Sequence, residues 1–164
     1  MALIIEDGTL VTDADSWVTV AELGTHASAI GATAPTGTDA EEALRQAARH
    51  IGSLEPRLKG ARVERDQSLA FPRKNVTIDG WEWSKDEIPR NVRLAQMALA
   101  LDIAAGEDPE NRPLADNPRN SVAVSGAVSV GFATPVPSKL RKTSTADALL
   151  RSLMKNSGLE LVRS

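Results

Sequence analysis

The chain has 164 residues, 41% of them hydrophobic, which suits a single domain with enough apolar material for a core. A formal charge of −3 leaves both protein and nucleic-acid partners open but lacks the basic footprint of a dedicated nucleic-acid binder. With no cysteine, disulfides and thiol chemistry are excluded.

The opening MALIIEDG lacks a basic region followed by a long apolar stretch, so the expectation is no signal peptide, no membrane anchor and synthesis in the cytoplasm. Ala2 to Ile5 form a short apolar run, read as a brief edge strand or an ordered arm. Thr19 followed by Glu22 has capping-box spacing and predicts a helix running to about Ile30, with Trp17 and Val18 placed to pack on its first turn. Gly31 to Gly37 reads as a loop. Thr38 and Glu41 repeat the capping spacing, and Ala40, Leu44, Ala47, Ile51 and Leu54 recur at helical intervals, so a second, amphipathic helix follows and ends at Gly52 or Pro56. Residues 56–66 are strongly charged. In Gln67 to Arg73 the residue before Pro72 is pushed to extended geometry, so no helix continues through Phe71. Val76, Ile78, the turn Asp79-Gly80, Trp81 and Trp83 predict a small hairpin or an irregular wrap.

The stretch Ile88 to Gly106 is the expected centre of the fold. It is apolar on nearly every side, with Pro89 in the first turn and Gly106 at its end, so other elements must surround it. Residues 107–120 read as a surface loop. Residues 121–134 alternate Val122, Val124, Val128, Val130 and Phe132 across Ser125-Gly126, which is a hairpin pattern. Ala146, Leu149, Leu150, Leu153 and Met154 give a last amphipathic helix over 143–156, and residues 157–164 form an extended tail. The expected fold is therefore mainly α: one domain over 1–164, a small helical bundle around the 88–106 helix, with an inserted hairpin and a C-terminal helix plus tail.

No catalytic, cofactor-binding or metal-binding set emerges. His26 and His50 lie far apart in sequence, and neither falls in a zinc-binding spacing. Asp13 and Asp15 lack the Gly and Glu that would complete a calcium loop and read as turn residues. Glu107, Asp108 and Glu110 sit in a Pro-rich loop, and no nucleotide loop or nucleophile elbow occurs. Arg57, Lys59, Arg62 and Arg65 could track phosphates, with Trp81 or Trp83 stacking on bases. Against this, acidic residues interleave with the basic ones and aromatics are only 3% of the chain, where stacking platforms use several rings. The partly alternating end Leu159-Glu160-Leu161-Val162 could add as a strand to a partner's sheet, or stand as a free tail.

Four blocks carry a family resemblance: Met1 to Gly8, Asp15 to Glu22, Gln67 to Arg73, and Ile88-Pro89 leading into Val92, Ala95, Gln96 and Leu99. In that order they resemble the head-tail connector (neck adaptor, head completion) proteins of tailed bacteriophages, relatives of which are often labelled DnaT-like single-stranded-DNA-binding proteins. The family usually has Tyr where Trp17 stands and Trp where Phe71 stands, and its first helix carries more aromatics than Leu23 to Ala32. The resemblance implies a virion protein without catalysis: a homo-oligomeric ring of twelve copies between portal and stopper or tail-terminator proteins, passing double-stranded DNA through its channel. On that reading Leu159, Glu160, Leu161, Val162 and Arg163 face the portal. The hairpin residues Val122, Val124, Val128, Val130 and Phe132 meet neighbouring subunits or rings. The alternative is a single-stranded-DNA-binding accessory protein of replication.

Overall fold

A computed structural model describes residues 2–109 and 144–155. Four helices are present among them: α1 (Val20–Ala29), α2 (Gly37–Ser53), α3 (Arg90–Ala104) and α4 (Thr145–Leu150). Four short strands, β1 (Ala61–Arg62), β2 (Arg73–Lys74), β3 (Val76–Ile78) and β4 (Trp81–Trp83), all lie between α2 and α3. They pair antiparallel as β1 with β2 and β3 with β4, giving two separate two-stranded sheets.

The fold is thus mixed rather than a mainly helical bundle, which corrects the sequence expectation. The β3–β4 hairpin falls where the Asp79-Gly80 turn predicts one, but β1 and β2, of two residues each, are too short to display alternation, and the segment that carries them folds through polar side chains rather than a hydrophobic pattern. The hairpin expected at 121–134, with Val122, Val124, Val128, Val130 and Phe132, lies outside the described residues, as does the tail with Leu159 to Arg163.

Helix α1 opens with the expected capping box: Thr19 accepts from the Glu22 backbone and Glu22 reaches back to the Thr19 amide. The second expected box does not form, because α2 begins one residue before Thr38 and its N-cap Thr36 makes no side-chain cap bond. Helix α3 is the expected central rod. Pro89 caps it from outside rather than lying in its first turn, and Gly106, at φ 87°, closes it with Glu107 N donating to Asp102 O at 3.0 Å. It packs chiefly against α2 and α4 and buries Val92, Ala95, Met97, Ala98, Leu99 and Ala100. The last helix is shorter than expected: six residues opened by a Ser144–Asp147 capping box, then a 3-10 turn over Arg151–Leu153, with Ala146, Leu150 and Leu153 buried.

One polar side chain sits at the centre of this core. Gln96 is fully buried; its Oε1 accepts from Trp17 N at 3.0 Å, and its Nε2 donates to Ser16 Oγ at 2.9 Å and Leu44 O at 3.0 Å. It ties the N-terminal arm, α2 and α3 together with every amide group satisfied, as a buried amide must be. Trp17 completes the join. Its indole meets Phe71 edge-on, centroids 6.4 Å apart, and its Nε1 donates to Phe71 O at 3.1 Å.

Candidate nucleic-acid interface

The β3–β4 hairpin projects from this core. Its turn is Asp79-Gly80, both at positive φ (52° and 85°), the mirror-image turn geometry that matches strand twist and that Asp-Gly pairs favour. The register sets Val76 opposite Trp83 and Ile78 opposite Trp81. At the base, Val76 is buried, Trp83 is half-buried and its Nε1 donates to Glu87 O at 3.2 Å. At the tip, Trp81 is 78% exposed. The two tryptophans that alternation places on one face therefore differ in role: Trp83 anchors the hairpin and Trp81 stands clear of it.

The base is held from two sides. A Cβ on Gly60 would come within 2.4 Å of Lys74 O and 2.7 Å of Val76 Cγ2, so only glycine permits this approach. The Lys59 ammonium donates to Thr77 O on β3 at 3.3 Å and to Ser152 O at 2.8 Å, linking the hairpin to the C-terminal 3-10 turn.

A groove of about 410 Å³ runs beside the hairpin, lined by Lys74, Asn75, Glu82, Trp83, Ser84 and Lys85. Lys74 and Lys85 are exposed and make no ion pair among the described residues. Both fall outside the basic run 57–65 that the sequence singles out: Lys85 is two residues after Trp83, and Lys74 is two residues before Val76, the cross-strand partner of Trp83.

The structure divides the four basic residues expected to track phosphates. Arg62 grips Glu55 with a fork, Nε to Oε1 at 2.6 Å and Nη2 to Oε2 at 2.7 Å, and Arg73 adds a bond to Oε1 at 3.1 Å. The Arg62 hydrogen bond in particular holds the Glu55 carboxyl below the usual carboxylate range, despite partial desolvation. Arg73 is itself buried and also donates to Lys59 O, Gly60 O and Ala70 O. Arg62 and Lys59 thus hold structure together, whereas Arg57 and Arg65 are exposed without ion pairs among the described residues.

Gln67 shows why the Gln67 to Arg73 block is built as it is. Its Oε1 accepts from Val63 N and Glu64 N, and its Nε2 donates to Leu69 O and Pro72 O, closing the loop between β1 and β2. Asp15 accepts from Ile4 N and pairs with Arg45 at 2.6 Å, an anchor for the arm. Among the described residues no cluster of His, Cys, Asp and Glu is placed to hold a metal ion, and no helix is long and apolar enough to cross a membrane.

A family model described as "Putative DnaT-like ssDNA binding protein" matches residues 1–164, the whole chain. No curated protein and no solved structure matches it. The match carries the single-stranded-DNA description and gives no support to the head-tail connector reading of the same sequence blocks. The chain belongs to the DnaT-like ssDNA binding protein family.

Proposed function

We propose that this chain binds single-stranded DNA, with bases stacking on Trp81 and the phosphates beside them meeting Lys74 and Lys85. The observation that carries the reading is the 78% exposure of an indole at the tip of an anchored hairpin. Exposing so large an apolar ring opposes burial, and strand-binding proteins use such rings as stacking platforms. The family description agrees with it. Duplex DNA hides its base faces, so a single projecting ring favours unpaired strands.

Titrating a labelled oligothymidine with the full chain across a salt series tests this. With two lysine–phosphate contacts the log–log slope of affinity against salt is about −1.4. Absence of binding at low salt contradicts the reading.

A second reading is an adaptor ring in the neck of a tailed bacteriophage, between portal and stopper proteins. What favours it is the charge around the hairpin: Asp79, Glu82, Asp86 and Glu87 are exposed beside Lys74 and Lys85, a mixed surface that attracts phosphates weakly and suits a protein partner. Antibody labelling of the collar between capsid and tail, together with failure to bind oligothymidine, would select this reading.

A further inference from the structure

A second cleft, of about 420 Å³, lies between the C-terminal half of α2 and the segment 62–70. It shares no lining residue with the hairpin groove. Three arginines line it, Arg45, Arg49 and Arg62, against two carboxylates, Asp15 and Glu55. Both carboxylates are already engaged, Asp15 by Arg45 and Glu55 by Arg62 and Arg73, and Glu41 also pairs with Arg45. Arg49, one turn beyond Arg45 on the same helix face, has no ion pair among the described residues.

A guanidinium carries five N–H donors. Arg62 uses its Nε and one hydrogen on each Nη, toward Glu55 and Gln67 O, so two remain. The Ser68 hydroxyl at the same cleft also has no partner among the described residues. Donors therefore outnumber acceptors around a floor of Ala14, Ala48, Gly52 and Ala70, where small residues let a compact ligand approach.

We propose that this cleft is an anion site that takes a phosphoryl group, held by Arg49, the remaining Arg62 donors and Ser68. The group is either free phosphate or a phosphodiester of a bound strand, since both present the same oxygens. The site does not depend on Trp81 and stands whether or not the hairpin binds DNA.

Inorganic phosphate is the probe, titrated into the full chain while the arginine Nε–H and Ser68 amide resonances are followed by NMR. The expected result is a saturable shift of Arg49, Arg62 and Ser68 that matched sodium chloride does not reproduce. Arg49→Ala, at an exposed position, weakens phosphate binding about tenfold. Trp81→Ala leaves it unchanged. Oligothymidine that displaces phosphate assigns the site to a strand, and oligothymidine that leaves phosphate bound assigns it to the free anion. Lack of saturation at tens of millimolar phosphate, equal shifts with sodium chloride, or unchanged affinity in Arg49→Ala would overturn the proposal.

Discussion

Trp17 and Trp81 are the same side chain in opposite surroundings. Trp17 is buried to 1% exposure, its indole edge-on to Phe71, its Nε1 bonded to Phe71 O and its backbone amide bonded to Gln96. Trp81, at 78% exposure, touches little of its own chain. The first spends its surface on stability, so changes around it are felt in unfolding. The second contributes little to the fold, so its removal is felt only in binding.

The contrast is broken most strongly from the interior. Phe71→Ala opens a cavity beside Trp17 and costs about 3 to 5 kcal/mol, read as a lowered midpoint in urea unfolding. Gln96→Leu keeps the volume but leaves the buried Trp17 N without its acceptor, whereas Ser16 Oγ keeps its bonds to Val18 and Leu44 O stays within the α2 ladder; the expected loss is about 1 to 3 kcal/mol, and hydrogen exchange at the Trp17 amide should quicken with it. Trp81→Ala shifts unfolding by less than about 0.5 kcal/mol, while oligothymidine affinity falls by about 1 to 3 kcal/mol.

The smallest effect is in pH dependence. Arg62 and Arg73 hold the Glu55 carboxyl below its ordinary range, so the folded state binds the proton less readily than the unfolded one. The stability this contributes is fully present above the unfolded carboxylate pKa, about 4.3, and is lost as pH falls through the lower folded value. Glu55→Gln should flatten that acid limb in urea melts at successive pH values and leave its shape near neutrality unchanged.

Much of the helical framework could be read from residue spacing. The Thr19–Glu22 box, the apolar surround of α3 and the stop at Gly106 are local signals, and the structure reproduces them. The Asp79-Gly80 turn was legible for the same reason, because its chemistry sits in two adjacent residues. What lay hidden was long-range. Gln96 reads as a polar interruption of a greasy helix, yet its partners are Trp17 and Ser16 far upstream and Leu44 on α2. Likewise residues 56–66 read as a charged stretch, and only the fold shows Arg62 from it and Arg73 from the next block converging on Glu55. At the candidate interface, spacing placed Trp81 and Trp83 together, but which of them is covered depends on where the hairpin leaves the core. The cations beside them, Lys74 and Lys85, stand apart from the densest basic run, so no local charge pattern marks them.

The most direct test is the oligothymidine affinity of Trp81→Ala against the unaltered chain at one low salt concentration, with both proteins shown to unfold at the same urea midpoint. The account expects about a fivefold or greater loss with no change in stability. Equal affinity in the two proteins would contradict it.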